Sequence, residues 1–151
     1  MVTTDGSELV KRAVDLAIEI AKLSEAKLYA VHMIALEGNS IIHSRDEEQK
    51  KALKEQLIVE GKKATDYVEN IGLTANVGVE SIILEGNPAN KIIDFAEEND
   101  INLIVMGTQG KTGIHRFLIG SVSENVVRHS KRAVLVVRGE SADLLFKALS
   151  K

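Results

Sequence analysis

Residues 102–126 read NLIVMGTQGKTGIHRFLIGSVSENV: a short apolar segment, a loop containing glycines, and the start of a helix. Glycine loses more backbone entropy on folding than other residues, so a cluster of glycines indicates a sharp bend or a close approach to a ligand. The free N–H groups at the start of a helix suit an anion, and phosphate is the commonest one. The segment therefore predicts a buried strand that leads into a phosphate-binding loop. The glycines in question are Gly107, Gly110, Gly113 and Gly120.

The rest of the chain alternates between strand-like and helix-like patterns. Apolar spacing predicts helices over 7–23, 46–71, 88–99 and 121–130, and strands over 28–34, 75–84, 102–106 and 133–138. Residues 1–4 leave room only for a short first strand. This alternation predicts an α/β fold with a doubly wound, five-stranded parallel sheet and right-handed crossovers. We find no linker and no internal repeat, so we expect one domain over 1–151, with 139–151 as a C-terminal tail.

Composition excludes several classes of function. The chain has 151 residues, 44% of them apolar, which is enough for one substantial core. The net charge of −3 disfavours binding to nucleic acid or to an acidic membrane. The lack of cysteine excludes disulfides, thiolate catalysis and cysteine-bound metals. No apolar run approaches the roughly 20 residues of a membrane span and no signal-peptide pattern is present, so we expect a cytoplasmic protein.

Two common phosphate-binding patterns do not fit the glycine loop. The P-loop pattern G-x-x-x-x-G-K-[ST] matches at Gly110, Lys111 and Thr112, but its first glycine falls on Val105. The dinucleotide pattern G-x-G-x-x-G belongs after the first strand, whereas this loop follows the fourth. The spacing that is present is G-x-x-G, nine further residues, and then Gly-Ser at 120–121.

This spacing, between a strand ending IVMG and a helix beginning SENV, resembles the ATP-binding pattern of the universal stress protein family. Further segments are similar to that family: TTDGSE at 3–8, VHMI at 31–34, EGNPANKIIDFA at 85–96 and KRAVLVVR at 131–138. The resemblance covers nearly the whole chain. It implies an adenine nucleotide alpha hydrolase-like sheet with strand order 3-2-1-4-5.

The resemblance also implies a ligand and its site. The ligand is ATP, or AMP or ADP, with Mg²⁺ or Mn²⁺ held mainly through the phosphates. The nucleoside is expected near the first strand and Met33, and the phosphates against the glycine loop and the helix that follows it. The expected binding residues are Thr3, Thr4, Asp5, Met33, Gly107, Thr108, Gln109, Gly110, Lys111, Thr112, Gly113, Gly120, Ser121, Val122 and Ser123.

The predicted sheet topology favours the same place for a ligand. Ligands of open α/β sheets bind at the carboxyl ends of strands where the strand order reverses. If strands one and four are neighbours, Asp5 and Gly107 reach the same crevice. Lys111, His115 and Arg116 concentrate positive charge in the loop of an otherwise acidic protein.

Structural interpretations compete with this one. Ser121 and Glu124 form an S-x-x-E pattern, which is typical of a helix capping box. Asp5 with Glu8 is compatible with a simple helix N-cap, and Gly113 with a turn.

The histidines and nearby acids suggest little further chemistry. His43, Asp46 and Glu47 invite a metal hypothesis, but their spacing matches no familiar ligand pattern, and a solvated helix face is favoured. His32 is expected in a core or crevice, and His129 suits the dipole at a helix C-terminus.

Three functions remain open at this point. The first is an ATP-binding regulatory domain that acts as a nucleotide-dependent switch, the second a slow ATPase with the same site, and the third an interaction module without a functional ligand. No general base is evident in the loop, which places the switch above the ATPase. Strand 133–138 is apolar and expected at the sheet edge, so we also predict a homodimer through it, as the resemblance implies.

Overall fold

Five strands alternate with four helices in residues 1–35, 46–108 and 119–138, which are the residues that the computed structural model describes. In chain order the elements are β1 (Val2–Thr3), α1 (Glu8–Leu23), β2 (Leu28–Ile34), α2 (Glu47–Ala75), β3 (Val79–Glu85), α3 (Pro88–Glu98), β4 (Leu103–Gly107), α4 (Ser121–His129) and β5 (Ala133–Val137). The predicted tail, 139–151, lies outside the described residues.

The strands form one parallel sheet in the order β3-β2-β1-β4-β5. The short β1 lies in the middle, with Thr3 opposite Val31 of β2 and Val2 opposite Val105 of β4. The predicted doubly wound α/β sheet and its order 3-2-1-4-5 are confirmed. β5 is an edge strand, and the strand order reverses between β1 and β4.

Helices cover both faces of the sheet, and each face has its own apolar core. On one face α1 and α2 bury a cluster that includes Leu16 and Val68. On the other face α3 and α4 bury a cluster that includes Ile92, Ile104 and Val126. Such two-sided burial explains why the strand sequences are almost continuously apolar.

Polar caps fix the starts of two helices. The side chain of Asp46 accepts hydrogen bonds from the amides of Glu48 and Gln49 at the start of α2. Asn87 accepts from the amide of Asn90, and Pro88 occupies the first turn of α3, where a missing N–H costs nothing. Asp46 is therefore a cap, and no group of three metal-ligating side chains occurs among the described residues.

The boundary between α2 and β3 differs from the prediction. The helix continues past 71 to Ala75, and the strand starts at Val79 rather than at 75. Gly72 is a buried residue of this helix. It packs so closely on β3 that an added Cβ would overlap Cγ2 of Val79. Asn76 ends the helix in the left-handed conformation (φ 58°), which asparagine tolerates better than most residues. Elsewhere the predicted bounds agree to within one residue.

None of the helices within the described ranges is both long enough and apolar enough to cross a membrane.

Candidate functional site

A cavity of about 250 Å³ opens where the carboxyl ends of β1 and β4 meet. Ten of the sequence-predicted site residues line it: Thr3, Thr4, Asp5, Met33, Gly107, Thr108, Gly120, Ser121, Val122 and Ser123. The other five predicted residues, Gln109, Gly110, Lys111, Thr112 and Gly113, lie outside the described residues, as do His115 and Arg116. The cavity is at the point of strand reversal, the usual ligand position in open α/β sheets.

The turn between β1 and α1 forms one wall. Oδ1 of Asp5 accepts from the amide of Ser7 over 2.9 Å, and Oγ1 of Thr4 accepts from the amide of Gly6 over 3.2 Å. Gly6 has a φ of 74°, a conformation that favours glycine. Asp5 is thus not the N-cap of α1, because that position is occupied by Ser7. These bonds hold a half-buried carboxylate at the cavity wall.

The opposite wall is built from the end of β4 and the start of α4. The hydroxyl of Ser123 donates to the carbonyl of Gly107 over 2.8 Å, and the amide of Gly120 donates to the carbonyl of Thr108 over 2.7 Å. The Thr108 amide in turn donates to Val137 of β5. These two hydrogen bonds therefore join the beginning of the predicted glycine pattern to its end.

The N-terminus of α4 presents backbone donors. Glu124 is the residue whose amide closes the first helical turn, onto the carbonyl of Gly120. The amides of residues 121–123 precede that bond and carry the positive end of the helix dipole. The predicted capping box is wrong: the N-cap is Gly120, Ser121 is the first helical residue, and Glu124 pairs with Arg128 instead. A glycine cap leaves the approach to these amides free of a side chain.

The inner surface of the cavity is apolar. Five residues that the sequence did not single out for the site complete the lining: Val10, Val31, Pro88, Ile92 and Met106. Met106 directly precedes the glycine loop, and this position in the sequence could have identified it as a site residue. Val10 and Val31 are close in sequence to the predicted residues Asp5 and Met33, whereas Pro88 and Ile92 come from α3 and are brought in only by folding. An apolar pocket with a carboxylate on one side and amides on the other suits a flat ring with a charged group attached.

A larger groove of about 710 Å³ lies between α1 and α2. It is lined by Asp15, Tyr67 and neighbours, away from the carboxyl ends of the strands. Burial raises the pKa of Asp15, while Arg12 and Lys11 act weakly in the opposite direction. Its described lining comes from the middle and end of the two helices and includes no helix N-terminus, so the smaller cavity is the better candidate.

The sequence of this chain matches a known protein family over most of its length. A family model described as "Universal stress protein family" matches residues 1–138. The chain belongs to the universal stress protein family. Universal stress protein MJ0531 of Methanocaldococcus jannaschii is 38% identical over 138 residues, which are 91% of this chain and 80% of that one.

Two solved universal stress proteins of similar fold contain adenine nucleotides. One, from Archaeoglobus fulgidus in complex with dAMP, has a TM-score of 0.65 at 26% identity, over 91% of this chain and 94% of that one. The other, a universal stress protein in complex with cAMP, has a TM-score of 0.63 at 29% identity, over 91% and 93% of the two chains.

Proposed function

We propose that this universal stress protein binds an adenine nucleotide, with ATP as the expected ligand, and acts as a nucleotide-dependent regulatory domain. The observation that carries the proposal is the cavity at the strand reversal, which has Asp5 on one wall and the first amides of α4 on the other. The dAMP and cAMP complexes of its structural relatives support an adenine nucleotide.

The chemistry of the two walls suggests how the ligand lies. A carboxylate accepts hydrogen bonds from ribose hydroxyls or from the adenine amine, so the nucleoside belongs near Thr3, Asp5 and the apolar Met33. Phosphate groups belong at the N-terminus of α4, where amides and the helix dipole favour negative charge. Residues 109–113 of the glycine loop remain part of the proposed phosphate site on sequence grounds.

A metal ion would be held mainly by the phosphates. The cavity lining includes one carboxylate among the described residues, that of Asp5, and no cluster of acidic or histidine ligands occurs in them. This suits Mg²⁺ or Mn²⁺, which commonly keep several waters and bind through substrate phosphates. The sequence of the glycine loop offers no evident general base, which favours binding and switching over hydrolysis.

Calorimetry on nucleotide-free protein with ATP, ADP and AMP in the presence of Mg²⁺ tests the proposal. We expect binding at micromolar to millimolar affinity, roughly tenfold weaker in Asp5→Ala, a change equal to about one hydrogen bond to a charged group. Asp66→Ala removes an exposed carboxylate of α2 that does not line the cavity and is the matched control. Flat titrations with all three nucleotides refute the proposal.

The glycine loop has its own test. Gly110→Val is expected to abolish binding because a branched side chain would stand where phosphate must approach the backbone. Lys111→Ala is expected to weaken binding several-fold only, since the backbone donors remain. If Gly110→Val folds and binds ATP normally, the loop does not hold the phosphates. A phosphate-release assay on wild type separates a switch from a slow ATPase.

We further propose that two copies pair through β5. This strand is an edge of the sheet, reads AVLVV, and its residues Val134, Leu135 and Val136 are only half-buried in one copy. An apolar edge strand is normally covered or paired.

Light scattering on wild type is expected to give a dimer, and Ala133→Lys, at the exposed first residue of β5, a folded monomer. Val127→Lys places the same charge on an exposed valine of α4 and is expected to stay dimeric. A wild-type monomer at high micromolar concentration contradicts the pairing.

A further inference from the structure

A buried histidine lies directly behind the wall that carries Asp5. His32 is on β2 and is only 8% exposed. Its Nδ1 is 2.9 Å from the carbonyl oxygen of Thr4, the residue before Asp5. A carbonyl oxygen only accepts hydrogen bonds, so Nδ1 carries the proton and donates it to Thr4. The contact therefore fixes which ring nitrogen is protonated.

This contact completes the attachment of Thr4 to β2. β1 ends at Thr3, yet the amide of Thr4 still donates to the carbonyl of Val31 over 2.9 Å. The carbonyl of Thr4 is taken by the side chain of the next β2 residue, His32. Two successive residues of β2 thus hold both polar backbone groups of Thr4, one through its backbone and one through its ring. The chain leaves the sheet for Asp5 immediately after this point.

Helix α2 is shaped to accommodate the ring. A Cβ at Gly61 would lie 2.7 Å from Cδ2 of His32, closer than side chains normally approach. Ala64 lies about one helical turn after Gly61 on α2, and its Cβ would be 3.2 Å from a Cβ added at Gly6 of the β1–α1 turn. Small residues on α2 therefore let the helix press on both the imidazole and the turn. The ring is confined between α2 and the Thr4 carbonyl.

We propose that His32 is a positioning residue for the nucleotide site: by donating to the Thr4 carbonyl, with Gly61 behind it, it sets where Asp5 meets the ligand. The inference deepens the proposed nucleotide-binding function and rests on it. An apolar side chain of similar size would fill the same space, but it would leave the carbonyl of the buried Thr4 without this donor. The turn would then shift to find another partner, and Asp5 would move with it.

The test compares two substitutions. His32→Leu keeps much of the volume and removes the donor, whereas His32→Asn places an amide N–H near the position of Nδ1. In calorimetry with ATP we expect roughly tenfold weaker binding for His32→Leu and a loss within about threefold for His32→Asn, the scale of one hydrogen bond. Gly61→Ala, which retains the histidine but crowds its ring, is expected to weaken binding as His32→Leu does. Equal affinities for the leucine and asparagine variants, or wild-type affinity for leucine, overturn the proposal.

Hydrogen exchange of the Ser7 amide is a second readout that needs no ligand. This amide donates to Asp5, so its protection reports whether the turn keeps its shape. We expect exchange about tenfold faster in His32→Leu and near wild type in His32→Asn, as for a local opening within a folded domain.

The two readouts also separate the two proposals. If wild type binds none of the nucleotides, the proposed function fails while Ser7 exchange still decides whether His32 holds the turn. If His32→Leu does not fold, Gly61→Ala and His32→Asn carry the same comparison. Unchanged Ser7 protection in the variants that lose the contact refutes the positioning role.

Discussion

The hydroxyl of Ser123 and the carbonyl oxygen of Gly107 are joined by a buried 2.8 Å hydrogen bond across sixteen residues of sequence. Ser123 is in the first turn of α4, and Gly107 is the last residue of β4. The bond thus holds the helix start against the strand end at the candidate site. Its loss would act on stability and on the geometry of the amides at once.

Ser123→Ala is expected to lower the free energy of unfolding by about 1–3 kcal/mol, because the buried Gly107 carbonyl loses its donor. Urea unfolding measures this. Ser121→Ala, an exposed position two residues earlier, is the control and is expected to stay within about 0.5 kcal/mol of wild type. Equal effects of the two changes would mean that the Ser123 bond adds nothing.

Two glycines near the end of α2 make a matched pair. Gly72→Ala is expected to destabilise by about 1–3 kcal/mol, since the new methyl group overlaps Cγ2 of Val79 in a packed region. At Gly78 nothing lies within 4 Å of an added Cβ, so Gly78→Ala is expected to be neutral or slightly stabilising. Thermal melting of both variants checks the contrast, and a stable Gly72→Ala would show that α2 can move away from β3.

The N-caps of α1 and α3 predict opposite results for the same kind of truncation. Asn87 caps α3 through its side chain, and Asn87→Ala is expected to cost about 1 kcal/mol. Ser7 caps α1 without a side-chain hydrogen bond, and its buried hydroxyl has no partner within the described part of the chain. Ser7→Ala is therefore expected to cost less than about 0.5 kcal/mol or to stabilise. Chemical denaturation distinguishes them, and an equal loss in both would contradict the assignment.

The half-buried Asp15 is expected to make the unfolding free energy of the protein depend on pH. Burial raises its pKa above the ordinary 3.8, so the folded state binds this proton more tightly than the unfolded state does. The unfolding free energy therefore falls as pH rises through that range, and the charged form is the costly one at pH 7. Asp15→Asn is expected to stabilise at pH 7 by less than about 0.5 kcal/mol, because the side chain is only half-buried and solvent screens its charge. Unfolding curves at pH 7 and near pH 3.5 should show the gain shrinking in acid; a constant gain would exclude titration of Asp15 as its cause.

The sheet and much of the site follow from local sequence patterns. Alternating strand and helix segments predicted the parallel sheet, and the spacing of Gly107 and Gly120 predicted which strand end faces the start of α4. Both signals can be read along the chain without knowledge of contacts between distant elements. Family resemblance added the strand order, which no local pattern contains.

Contacts between distant elements could not be predicted in this way. Helix α2 runs on to Ala75 because Gly72 packs on β3, and a glycine near a helix end does not announce that contact. The N-cap of α4 is Gly120, although Ser121 with Glu124 has the better capping pattern in the sequence. The hydrogen bond from the Gly120 amide to the carbonyl of Thr108 accounts for this start. The bond between His32 and Thr4 joins residues 28 positions apart and has no sequence signal at all.

The shortness of β1 has a consequence for how such a protein can diversify. β1 stops opposite Val31, while β2 continues for three further residues to Ile34, about 10 Å at the usual rise of a strand. The cavity therefore lies where β1 stops short of its neighbour β2. Lengthening or shortening the turn after Thr3 would deepen or fill this cavity without altering the pairing of β2 with β3 or of β4 with β5. If the cavity holds the proposed nucleotide, a change in this one short segment would alter ligand preference while the rest of the sheet stays unchanged.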